Sequence, residues 1–167
     1  EAIAAGASSW PGFADRLIKV LRQPAEAELL AAALHAVALG WPQHPQLPSL
    51  LVKASSSRAE LVRCVALIHR VARGDLSSEI KRSLVQFTAC EGRVPYPWED
   101  QLVEALKNGW PNDGEMRAIA LRSAKEQIMP SEWDQRLALK YLVRAFPRDR
   151  GVAEIVADIL RSEGGVW

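Results

Sequence analysis

The chain is expected to be all-α, a right-handed α-solenoid of antiparallel helix pairs, and three observations lead there. A short punctuation recurs, with anchors at Ser9, Gly40, Gly74, Gly109 and Ala145 separated by 31, 34, 35 and 36 residues. Each anchor lies between two amphipathic runs of helical period. The run before an anchor also carries apolar residues on a second face, so it must be covered on two sides, as in a stack of repeats.

The elements follow in order. Phe13, Leu17, Val20 and Leu21 form the stripe of an opening helix, read as the second helix of a unit whose first was mostly cut away. Before Gly40 the stripe is Leu30, Ala33, Leu34, Val37 and Ala38; after it, Leu47, Leu50, Leu51 and Ala54. The next unit gives Leu61, Cys64, Val65, Ile68 and Ala72, with Val62, Ala66 and Leu67 opposite, then Ile80, Leu84, Phe87 and Thr88. The third gives Trp98, Leu102, Ala105 and Leu106, then Met116, Ile119, Ala120, Ser123 and Ala124. In the fourth, Trp133, Leu137, Tyr141 and Leu142 precede the break, and Val152, Ile155, Val156, Ile159 and Leu160 follow it. The segment "EGRVPYP", with Pro95 and Pro97, reads as a loop. The units span about 9–23, 24–55, 57–91, 97–128 and 131–163, in one domain over 1–167 that is expected to be a fragment of a longer chain.

The punctuation is Gly40-Trp41-Pro42 and Gly109-Trp110-Pro111, with weaker forms at Ser9-Trp10-Pro11 and Ala145-Phe146-Pro147; Gly74 is followed by Asp75-Leu76. A glycine just past a helix accepts the left-handed backbone that ends it. Proline then forbids continuation, costing about 3 kcal/mol in a helix interior. The aromatics Trp10, Trp41, Trp110 and Phe146 are expected to plug the space between neighbouring helix pairs, since such rings bury a large area. Ser77, Asn112, Asp113 and Asp149 offer side-chain oxygens to cap the next helix, each worth about 1 kcal/mol.

Composition narrows the function. With 49% hydrophobic and 25% charged residues the chain has the material for a buried core. Twenty-one basic against twenty acidic side chains give a net charge of +1, so no whole-molecule field favours nucleic acid or an anionic membrane. No apolar run reaches the roughly 20 residues that span a bilayer, and "EAIAAGASSW" has no secretory pattern. The expectation is a cytoplasmic protein with no membrane partner. Cys64 and Cys90 sit inside apolar helical patterns without metal-ligand spacing, which suits buried, reduced thiols.

No catalytic, cofactor or metal motif emerges. His35, His44 and His69 lack the spacing of a zinc helix; His35 and His69 lie one period apart, as a shared packing position would. There is no phosphate-binding glycine loop and no nucleophile elbow. Carboxylates such as Glu26, Glu28, Glu99 and Asp100 stand at helix starts, where they complement the macrodipole. The one suggestive charge pattern is on the second helices, where Arg16, Lys19, Arg22, Lys53, Lys81, Arg82, Arg117, Arg122 and Lys125 outnumber Asp15, Glu79, Glu115 and Glu126. It admits two readings, a basic stripe on the concave face of the array or an ordinary solvated surface.

The segments "LHAVALGWPQHPQLPSLLVKA" and "LVEALKNGWPNDGEMRAIALRSA" resemble the HEAT-like repeats that follow the NTPase module in bacterial NACHT-family proteins of the STAND class. The resemblance implies a noncatalytic sensor or autoinhibitory array in a signalling or defence regulator, binding a protein partner or other domains of its parent chain. A second reading is a HEAT-like DNA-binding module similar to the alkyl-purine DNA glycosylases, which would need the basic residues in one groove and an exposed Trp98 or Trp133. A tetratricopeptide-like adaptor fits the period but lacks that family's small and aromatic positions.

Overall fold

Each expected helical stripe in the described residues becomes a helix, though Phe87, Thr88 and Trp133 fall just outside the helix ends. The structure, a computed structural model, describes residues 12–89, 98–125 and 133–162. Among them every regular element is an α-helix: α1 Phe13–Leu21, α2 Ala27–Gly40, α3 Leu47–Ser55, α4 Glu60–Ala72, α5 Ser78–Gln86, α6 Trp98–Gly109, α7 Gly114–Lys125, α8 Gln135–Ala145 and α9 Arg150–Ser162. None is long and apolar enough to cross a membrane. Trp10, Cys90, Glu126 and the "EGRVPYP" segment lie outside the described residues. The chain divides into two units, 1–75 and 76–167.

In the first unit α1 lies on α2, α2 on α4, and α3 on α4. α4 is the centre of the core. Leu61, Val62, Cys64, Val65, Ala66, Leu67, Ile68, His69 and Val71 are all buried along it. Two neighbouring helices, α2 and α3, cover its two apolar faces, which is why its stripe wraps beyond one side. Each buried aliphatic side chain here contributes about 1.5–3 kcal/mol through apolar area removed from water. A charge in place of the fully buried Val65 would break the unit. On α1 the fully covered residues are Ala14 and Ile18, while Phe13, Leu17, Val20 and Leu21 are only half-buried. The expected stripe was therefore displaced by one residue.

In the second unit α8 meets α7 and α6, α5 meets α6, and α9 meets α7 and α8. Leu84, Leu102, Val103, Leu106, Met116, Ala120, Trp133, Tyr141 and Leu142 form its driest layer. Trp133 and Tyr141 stack tilted at 5.1 Å between ring centres, and Phe146 meets Tyr141 edge-on at 5.9 Å. Trp133 supplies the largest fully buried side chain, so it is core and not an exposed platform.

The turns correct one expectation. Gly40 and Gly109 are the last residues of their helices and are not left-handed; among the described glycines only Gly12 and Gly74 have positive φ. At Gly40 the break falls on Trp41, with φ −136° and ψ 63°, and at the fourth anchor on Phe146, with φ −130° and ψ 54°. Both precede proline, whose ring pushes the residue before it out of the helical region. Where Trp-Pro is missing, Gly74 (φ 87°) ends the helix alone. Trp41, Trp110 and Phe146 are half-buried, and Trp41 tilts against Phe13 of α1 at 5.9 Å.

Capping follows chemistry at three of four places. Ser77 Oγ accepts from the Ile80 N–H at 3.4 Å, Asp113 Oδ1 from Met116 N–H at 2.9 Å, and Asp149 Oδ1 from the Gly151 and Val152 N–H groups at 2.9 and 3.2 Å. Asn112 instead occupies the left-handed turn position at φ 61°, a conformation asparagine tolerates better than most residues.

Candidate functional site

The nine cations of the second helices fall into distinct groups. In the first unit Arg16 and Lys19 project into solvent from α1. Arg22, just past α1, donates through a guanidinium nitrogen to Gln46 Oε1 at 2.7 Å. Lys53 is exposed on α3. Arg22 and Lys53 are brought together on the rim of one cavity of about 620 Å3.

In the second unit Lys81 and Arg117 are already engaged. Lys81 Nζ donates to Asp113 Oδ2 at 2.5 Å and approaches Glu115 at 3.4 Å. Arg117 donates to Asp149 Oδ2 at 2.5 and 2.9 Å and lies over the Phe146 ring, 5.9 Å from its centre. These two pairs are alike: Lys81 of α5 reaches the aspartate that caps α7, and Arg117 of α7 reaches the aspartate that caps α9. Partial burial pulls the Lys81 ammonium down, but its bonds to Asp113 and Glu115 outweigh that and hold it above its ordinary value. Burial also pushes the Asp113 carboxyl up, and Lys81 together with the Met116 N–H more than reverses this, leaving it below the usual range. The Arg117 hydrogen bond is the main cause of the lowered Asp149. Arg82, Arg122 and Lys125 are exposed. Lys81 and Arg117 are therefore structural pairs, and they are withdrawn from any phosphate-binding stripe.

The first helices carry a cluster that sequence reading missed. Glu99, at the start of α6, is 2% exposed. It accepts from Arg136, and from Lys140 Nζ at 3.1 Å. Lys140 and Arg144 also reach Asp100, each at 3.0 Å. The signal was present in the spacing, since Arg136, Lys140 and Arg144 stand at i, i+4 and i+8 on α8 and so share one face. The Lys140 hydrogen bond leads in holding Asp100 below its ordinary value.

His35 and His69, one period apart in sequence, meet directly: His35 Nδ1 and His69 Nε2 are 2.9 Å apart. The ring centres stand 5.0 Å apart, close to the greatest separation that such a contact allows, so the nitrogens point at each other along one line. One imidazole donates its N–H to the lone pair of the other. A shared metal would need both lone pairs to converge on a third point, and this geometry does not do that. Among the described residues no group of three His, Cys, Asp or Glu is arranged to hold a metal. Burial first, and the neighbouring His35 second, push His69 down to about 4, so it is neutral at pH 7. His44 instead faces Asp15 of α1 at 3.7 Å. Burial pushes the Cys64 thiol up to about 12, which makes it an inert core residue.

Comparison of the chain with protein-family models, with curated proteins and with solved structures returns no match.

Proposed function

We propose that the chain is a noncatalytic binding scaffold. It is a right-handed α-solenoid of HEAT-like helix pairs over residues 1–167, serving a cytoplasmic NACHT-like signalling or defence regulator by recognising a protein partner or a ligand. The observation that carries this reading is that residues one repeat apart meet. His35 meets His69, Lys81 meets Asp113, and Arg117 meets Asp149. Such repeated nearest-neighbour contacts are what an array uses in place of a single closed core. The partner-binding surface of an array is extended, and no bond needs to be broken on it.

The DNA-binding alternative is disfavoured by the same contacts. Two of its cations are neutralised by aspartates, Trp133 is fully buried, and Trp98 is half-buried. Fluorescence anisotropy with a labelled duplex at 50 and 200 mM salt decides between them. The scaffold reading expects no saturable binding at either salt; tight binding that weakens steeply between the two would replace it with the DNA reading. For the parent protein, the same reading frame upstream of residue 1 is expected to encode a phosphate-binding glycine loop. A frame encoding any other kind of module would remove the NACHT assignment and leave the scaffold.

A further inference from the structure

Between α1 and α3, over the first turns of α2 and α4, the first unit holds the cavity of about 620 Å3. Its wall is mainly aliphatic, with Leu30 and Leu34 from α2, Leu50 from α3 and Val62 from α4, and Ser49, Ser56 and Ser57 add hydroxyls to it. Its rim carries Arg22 and Lys53. Among the described residues no aspartate, glutamate or aromatic side chain lines it. Neither rim cation is paired with a carboxylate among the described residues, and Gln46 steadies the Arg22 guanidinium while leaving it other donors.

The second-helix stripe explains how the cavity arises. Leu47 and Leu51 of α3 go fully into the core, but Leu50 and Ala54 of the same stripe stay half-buried on the cavity wall. The volume lies within the range of small-molecule pockets, about 300–1,000 Å3. An apolar wall with unneutralised cations at its edge selects among ligands. A cation is repelled. A bare inorganic anion gains nothing from the leucines, and exposed cations alone hold it weakly. A nucleobase finds no aromatic face to stack on among the described lining residues.

We propose that this cavity binds a small anionic amphiphile, a molecule with a hydrocarbon body lying on Leu30, Leu34, Leu50 and Val62 and an anionic head held between Arg22 and Lys53. The site belongs to the first unit alone and does not depend on the array reading or on the parent protein. Binding here bridges α1, α2, α3 and α4, so an occupied cavity stiffens that helix cluster.

The test is calorimetric titration of the whole chain with dodecanoate below its micelle concentration, with amide NMR shifts to locate the ligand. One dodecanoate is expected to bind per chain, with shifts at Leu50, Ser56 and Ser57. Shortening the chain by two carbons should weaken binding about tenfold, the effect of two buried methylenes. Acetate and dodecyltrimethylammonium should not bind. The double variant R22Q/K53Q changes only exposed side chains, so its melting temperature should be unchanged while its affinity for dodecanoate falls roughly fivefold or more. Equal binding of acetate or of the cationic detergent, full affinity in the double variant, or shifts confined to other residues would each overturn the proposal.

Discussion

Lys81 Nζ sits 2.5 Å from Asp113 Oδ2, and the other oxygen of that carboxylate accepts the Met116 N–H at 2.9 Å. One aspartate thus caps its own helix, α7, and anchors a side chain of α5. The two roles differ in strength. A lost cap costs about 1 kcal/mol, whereas a partly exposed ion pair contributes at most about that. Asp113→Ala should therefore destabilise the protein by about 1–2 kcal/mol, and Lys81→Met by less than about 1 kcal/mol. Urea unfolding of the two variants checks the order. Equal losses would mean that the pair, not the cap, is the main contribution of Asp113.

Burial of His69, with His35 beside it, makes stability fall in mild acid. The folded pKa of His69 is about 4 against 6.5 for the free group, so between these values the unfolded chain binds more protons. The contribution is full above pH 6.5 and is lost as the pH falls toward 4. Between pH 8 and pH 5 it amounts to about 2 kcal/mol. Denaturant unfolding at both values measures it, and His69→Leu should flatten this part of the profile. An unchanged slope in that variant would place the proton uptake elsewhere. Asp113 acts in a lower window, because its folded pKa is depressed: its stabilisation is present above the ordinary carboxylate range and disappears below it.

Glu99 is 2% exposed, but the Arg136 and Lys140 side chains are 57% and 23% exposed. The cations can return to water and the carboxylate cannot. Removing the acid by Glu99→Gln should therefore cost only about 1–2 kcal/mol. The double variant Arg136→Met/Lys140→Met strands a buried charge and should cost about 3 kcal/mol or more. Thermal unfolding of both variants compares them, and the reverse order would contradict this account.

Tyr141 carries a buried hydroxyl with no hydrogen-bond partner among the described residues. Burial, followed by the charge of Asp113, pushes its pKa up to about 12. Tyr141→Phe keeps the ring contacts with Trp133 and Phe146 and removes the unsatisfied group. It should raise stability by about 1 kcal/mol, seen as a melting temperature higher by roughly 2–4 °C. A lower melting temperature would show that the hydroxyl has a partner.

The fold was legible because its signal is redundant. Leu61, Cys64, Val65 and Ile68 repeat at helical spacing, and Val62, Ala66 and Leu67 on the opposite face foretold a helix covered twice, as α4 is. Turn chemistry was legible only in part. Glycine, aromatic and proline all favour an ending, and from sequence alone the glycine is the natural place for it; proline's constraint on Trp41 and Phe146 won instead. The site was the least legible. Composition counts Lys81 and Arg117 as free cations, because their partners Asp113 and Asp149 are 32 residues away and meet them only once the helices are placed. The same holds for the cavity, whose wall draws residues from four helices.

Double electron–electron resonance tests the stacked array most directly. Ser49, Ala118 and Glu154 are exposed and each stands nine residues after its turn anchor. Nitroxides are placed at these positions with Cys64 and Cys90 replaced. With neighbouring helices about 8–10 Å apart, the Ser49–Ala118 separation should be roughly 20 Å and the Ser49–Glu154 separation roughly 30 Å. A Ser49–Glu154 distance equal to or shorter than Ser49–Ala118 would contradict the array.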